Sequence, residues 1–145
     1  MKISTKGHYG LRSLIDVALN QGDGPVTLND IAKRQSISVK YLWQVINPLR
    51  TSGFLNVTRG AKGGYMLARP PQEINILDVL KALEGPISLL RCLTDEKVCS
   101  RIPTCVSRTV WMEANGAIEK AFSQITLKKL VDRQKQASKA PSYSI

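Results

Sequence analysis

The chain is poor in the residues around which most active sites are built. Its 145 residues hold one histidine, His8, and three cysteines. No nucleophile–base pair, no phosphate-binding glycine loop and no paired acidic site stands out, so enzymatic chemistry is not expected. No apolar run approaches the roughly eighteen residues of a membrane span, which argues against a membrane partner. Lys2 and Lys6 are followed by no apolar stretch of the secretory type, so the expected location is cytoplasmic. No internal repeat is present. Acidic residues are scarce as well: 11 Asp and Glu stand against 21 Lys and Arg, giving a formal net charge of +10. The excess is uneven, since residues 1–70 carry ten basic residues and three acids, and the remainder eleven and eight. A basic half of this kind points to a polyanion, nucleic acid first, against the plainer reading of a soluble surface.

The cysteines that are present lie together. Cys92, Cys99 and Cys105 fall within fourteen residues, in a stretch that reads as a loop. An odd number cannot all pair within one chain. In a reducing compartment, clustered cysteines bind metal or respond to redox state more often than they form structural disulfides. Zinc prefers four ligands, often in closely spaced cysteine pairs, and the gaps of six and five residues here are wider. A metal site and a bare thiol switch both fit the residues.

Leu11, Leu14, Ile15, Ala18 and Leu19 have the spacing of an amphipathic helix. It starts after Ser4 and Thr5 and stops at Gly22-Asp23-Gly24-Pro25. Thr27 is a helix cap, with Asp30 favoured in the first turn by the helix dipole. The second helix runs from Leu28 to about Gln35. Ser36-Ile37-Ser38 reads as a tight turn, and Ser38 caps a third helix that buries Leu42, Val45, Ile46 and Leu49. Two short helices joined this way make a helix-turn-helix. Ser38, Val39, Lys40, Tyr41 and Gln44 form the outward face of the second of them, suited to base edges and phosphates. Pro48 predicts a kink or an early end near Ile46.

Residues 54–58 and 65–68 read as two strands around Arg59-Gly60-Ala61-Lys62-Gly63-Gly64. A helix-turn-helix followed by a basic hairpin is a winged-helix pattern. Arg59, Gly60, Lys62 and Gly63 are the wing's candidate DNA contacts, with Arg59 suited to a narrow minor groove. Beyond Arg69-Pro70-Pro71, Asn75 caps a helix carrying Ile76, Val79, Leu80 and Leu83. After the cysteines, Trp111, Ala114, Ile118, Phe122 and Ile125 form a helical stripe, read as a subunit interface or as an internal core stripe. Thr126 caps a last short helix. The expected fold class is mainly α with a small β-hairpin wing, a winged helix-turn-helix plus a long dimerisation helix. The expected division is a DNA-binding domain over 1–70, a core helix, cysteine loop and dimerisation helices over 71–133, and a disordered tail over 134–145.

Four segments together resemble the Rrf-two family of winged-helix transcription regulators, in particular its IscR- and NsrR-like members that bind iron–sulfur clusters. They are Met1-Lys2-Ile3-Ser4-Thr5-Lys6-Gly7, Ile37-Ser38-Val39-Lys40-Tyr41-Leu42, the wing from Arg59 to Leu67, and the three cysteines ahead of Trp111. The resemblance implies a homodimer that binds palindromic double-stranded DNA and senses redox, iron or nitric oxide status. It implies an iron–sulfur cluster on Cys92, Cys99 and Cys105, with [2Fe–2S] favoured over [4Fe–4S]. Arg91, Lys97, Arg101 and Arg108 offset thiolate charge. The cluster-binding pattern has a histidine three residues after the last cysteine, where this chain has Arg108, and a guanidinium is no ligand. His8 of the partner subunit is the expected fourth ligand, against the reading of a surface histidine, with Asp95, Glu96 or an exogenous ligand as alternatives. Lys40 and Trp43 also depart from the IscR-like recognition helix. The alternatives are a regulator with a cluster-free thiol or zinc switch, and an iron–sulfur carrier or small redox enzyme.

Overall fold

Short polar side chains set the helix starts, because the first turn of a helix has amides with no backbone partner. In the computed structural model, which describes residues 1–141, Ser4 accepts from the Gly7 amide and opens α1 (Thr5–Asn20). Thr27 opens α2 (Leu28–Gln35) and Ser38 opens α3 (Val39–Thr51) in the same way. Asn75 opens α4 (Ile76–Glu84). Cys105 stands at the start of α5 (Val106–Ser123), and Thr126 caps α6 (Leu127–Lys139).

Between α2 and α3, Ser36 takes the left-handed conformation at φ 55°. Its amide closes onto the carbonyls of Ala32 and Lys33, and Ile37 turns into the core. α3 does not end at Ile46. It continues through Pro48 to Thr51. Pro48 lies in the last turns, where it forfeits one backbone bond. Buried Val45, Ile46 and Leu49 on the same face hold the helix in line.

β1 (Leu55–Thr58) and β2 (Gly64–Leu67) pair antiparallel, with Leu55 opposite Leu67 and Thr58 opposite Gly64. β2 is also pinned to the segment before α2, since Val26 and Tyr65 exchange backbone hydrogen bonds of 2.9 and 2.7 Å. That pairing requires Gly64, at φ +155°, because a Cβ there would lie 2.5 Å from the Val26 carbonyl oxygen.

One core joins side chains from α1, α2, α3, β1, α4 and α6, including Leu14, Ile31, Leu49, Leu55, Val79 and Leu127. α6 enters it through a bridge between Asn75 and Thr126. The buried face of α1 is not centred where hydrophobic spacing put it. Gly7, Gly10, Ser13, Leu14, Asp16 and Val17 are buried, while Leu11, Ile15, Ala18 and Leu19 pack at its edge. The reason is close helix approach: a Cβ on Gly10 would sit 2.5 Å from a methyl of Leu83 on α4.

The stripe on α5 divides. Ile118, Phe122 and Ile125 pack against the chain's own core, whereas Trp111 is exposed. α6 extends through residues 134–139, which had been expected to be disordered. Gln134 to Lys139 is a run of Gln, Lys, Ala and Ser that supports helix, and the Ser138 hydroxyl donates back to the Gln134 carbonyl. Residues 142–145 of the expected tail lie outside the described residues. Among the described residues no helix is long and apolar enough to cross a membrane.

Candidate nucleic-acid interface and cysteine loop

The outer face of α3 begins at its cap. The Ser38 hydroxyl accepts from the Tyr41 amide at 3.2 Å. Val39, Lys40, Trp43 and Gln44 follow on one exposed face. Tyr41 turns inward, and its ring meets Tyr9 of α1 edge-on at 6.1 Å. Trp43, which departs from the IscR-like recognition helix and is absent from the expected contact face, stands in the middle of it, 54% exposed. Its spacing from Val39 and Lys40 was the available signal. Thr5, Tyr9, Ser36, Ile37, Ser38 and Tyr41 line a cleft of about 330 Å³ where α1 and α3 begin, and helix starts favour phosphate.

In the wing, Arg59, Gly60 and Lys62 are exposed and Gly63 is half-buried. A Cβ on Gly63 would lie 2.1 Å from the Thr58 carbonyl oxygen, so the tight tip needs glycine there. Among the described residues, Lys40, Arg59 and Lys62 form no ion pair. Other cations of this half are committed to structure. Arg34 reaches buried Asp16 at 2.7 Å, and the Gln35 amide nitrogen donates to the same carboxylate at 2.8 Å. The hydrogen bond to Asp16 holds the Arg34 guanidinium above its usual pKa, with burial acting against it. Arg12 in turn donates to the Gln35 side chain and backbone, both at 3.0 Å. This network ties α1 to the end of α2 and so fixes the angle at which α3 departs. Arg69 lies over the Phe54 ring at 5.0 Å. Of these only Arg34 is neutralised by an acid, and Asp16 already stands among the three acids of this half; Arg12 and Arg69 keep their charge but are held in place.

The three cysteines occupy a loop of single turns at Arg91–Leu93, Glu96–Val98 and Ile102–Thr104. Cys92 and Cys105 are half-buried and Cys99 is exposed. Cys105 lies 3.2 Å from the Ser107 hydroxyl. That hydrogen bond, then the Arg108 amide and the charge of Arg101, lower the Cys105 pKa below that of an ordinary thiol. Two side chains of α5 fasten the loop. Arg108 donates to the Cys92 carbonyl at 3.2 Å. Asn115 accepts from the Leu89 amide and donates to the Ile87 carbonyl, at 3.0 and 3.1 Å.

Three thiols on one loop have the donor chemistry of an iron–sulfur site. Their arrangement is open: among the described residues no three His, Cys, Asp or Glu side chains are grouped to hold one metal ion. His8 is exposed on the first turns of α1, beside Tyr9. No residue from Ser88 to Thr126 is buried.

Comparison with known proteins agrees with this geometry. A family model described as Rrf2, an iron-dependent transcriptional regulator, matches residues 3–133. Protein rrf2 of Nitratidesulfovibrio vulgaris is 40% identical over 141 residues, covering 97% of this chain and 92% of that protein. The HTH-type transcriptional regulator CymR of Bacillus subtilis is 39% identical over 130 residues, 90% of this chain and 89% of its own. The solved structure of T. potens IscR superposes with a TM-score of 0.79 at 37% identity, covering 99% of this chain and 95% of that one.

Proposed function

The chain belongs to the Rrf2 family of DNA-binding transcription regulators, and from that membership we propose a homodimer that grips palindromic duplex DNA and is switched by an iron–sulfur cluster. It is a regulator and not an enzyme. The carrier or redox-enzyme reading leaves the helix-turn-helix and wing without a purpose.

The observation that carries the dimer is the segment from Ser88 to Thr126, which has no buried residue yet holds Leu90, Val98, Val106, Val110, Trp111 and Met112 as exposed apolar side chains. A chain of this size does not leave so much apolar surface in water without a partner. A second copy laid against α5 covers it and produces a twofold pair of α3 helices. Half-sites then lie about one turn, ~34 Å, apart. α3 enters the major groove with Ser38, Val39, Lys40 and Gln44. Arg59, Gly60, Lys62 and Gly63 bring the wing to the adjoining groove and backbone.

Cys92, Cys99 and Cys105 would hold the cluster as thiolates, with His8 of the partner subunit as fourth ligand and [2Fe–2S] preferred. When bound, the cluster supplies iron that responds to redox state, iron supply or nitric oxide. The chain's own residues carry any change onward. Arg108 and Asn115 link the loop to α5, so a loop that closes or opens shifts the helix on which the two copies meet. The spacing of the α3 pair follows. Anaerobic purification tests this: iron and acid-labile sulfide in equal amounts are expected, and Cys99→Ser should lose both. His8→Ala should alter the circular dichroism of the cluster, and an unchanged spectrum would remove His8 from the ligand set.

A cluster-free thiol switch is the second reading. It is favoured by the open arrangement of the three cysteines. A colourless protein whose DNA affinity responds to thiol oxidation would select it, and stoichiometric zinc would select a structural metal instead.

A further inference from the structure

The recognition face of α3 is unusual for a surface that meets a polyanion: its centre is apolar. Val39 is 43% exposed and Trp43, one helical turn later, is 54% exposed. Tyr41 packs on the core, and these two do not. Lys40 lies between them in sequence and Gln44 follows directly, so the apolar pair is flanked by a cation and an amide. About half of the Trp43 surface stays in water, and together with Val39 it makes an apolar patch in the middle of a polar, basic face, which points to binding as its use.

The major groove offers one apolar group to such a pair, the C5-methyl of thymine. Phosphates and the other base edges are polar; the indole Nε1–H can satisfy one acceptor among them, but the Val39 methyls and the carbon face of the indole would desolvate the rest without compensation. We propose that Val39 and Trp43 read thymine through its C5-methyl group. Gln44 complements them, because a carboxamide pairs with N6 and N7 of adenine, the base opposite thymine. The half-site this face selects is a short run of A·T pairs, with thymine methyls against Val39 and Trp43 and adenine against Gln44. Lys40 and the wing supply the sequence-independent grip. The inference rests on the DNA-binding reading above and adds which base is read and by which atoms.

The test uses the full chain and a duplex recovered by its own selection from a randomised library. Each thymidine of the recovered half-site is then replaced by deoxyuridine, which pairs identically and lacks only the methyl. Binding should weaken on the order of fourfold for each contacted methyl removed. Trp43→Ala and Val39→Ala should each lose part of the difference, and the double variant should bind the thymine and uracil duplexes equally. Both residues are exposed, so thermal melting should be unchanged. Equal wild-type affinity for the two duplexes overturns methyl readout, while sequence-specific binding in the same assay keeps the DNA-binding reading intact. If selection enriches no sequence at all, the DNA-binding reading itself falls and this inference with it.

Discussion

Ser36 holds a left-handed backbone at φ 55° with a side chain that gains little there. Ser36→Gly should therefore stabilise the fold by about 0.5–1 kcal/mol, read as a higher melting temperature. A lower one would show that the serine side chain has a role in the turn. Arg34→Ala is expected to act in the opposite direction. It leaves buried Asp16 with Gln35 as its remaining side-chain partner. The cost should be about 2–3 kcal/mol, at the low end for a broken pair because the Arg34 side chain is 39% exposed. Cys105 makes a third case. The Ser107 hydroxyl lowers its pKa, so its alkylation rate should rise with pH at values below those of an ordinary thiol. Ser107→Ala should move that profile upward. At this scale four caps were legible, since Thr27, Ser38, Asn75 and Thr126 each precede their helix and accept a first-turn amide; Ser4 caps α1 one residue earlier than the expected start after Thr5. The Asp16 network was not legible. Asp16 and Arg34 carry no pattern that marks them as partners.

Elements were legible where hydrophobic spacing and punctuation agreed. α2, the wing, α4 and the start of α3 follow their expected limits closely. α1 was found but its buried face was misjudged, because Gly7 and Gly10 are buried by close approach of α4 and not by hydrophobicity. Pro48 was overweighted: a proline near a helix end costs one bond, and the packing of Leu49 outweighs it. α5 was read as one stripe, while its C-terminal part joins the chain's own core and its start remains apolar and exposed. Val106 and Val110, at 80% and 57% exposure, were the part of that surface the stripe missed. Val110→Asp should leave the monomer fold intact and abolish the dimer, seen as a halved mass in sedimentation. An unchanged sedimentation coefficient would contradict the assignment of α5 as the subunit contact.

At the scale of the whole molecule, charge and shape act together. The net charge of +10 favours encounter with DNA and makes affinity fall steeply with salt. Arg59→Ala should weaken binding and reduce the slope of log affinity against log salt by about one. Wild-type affinity and slope in that variant would remove the wing from the interface. The site most legible as a chemical motif, the three cysteines, is also the one least assembled in the single chain. Sequence reveals three thiols on one loop; in the proposed assembly their convergence depends on the cluster and on the second copy, neither of which one chain's pattern encodes. The decisive measurement is a DNA titration of the anaerobically purified protein, carried out on one preparation before and after a treatment that strips iron and sulfide. The two states should differ in affinity for the selected duplex on the order of tenfold or more. Equal affinities, or a colourless protein that takes up no iron and sulfide yet binds that duplex normally, would contradict the role given to Cys92, Cys99 and Cys105.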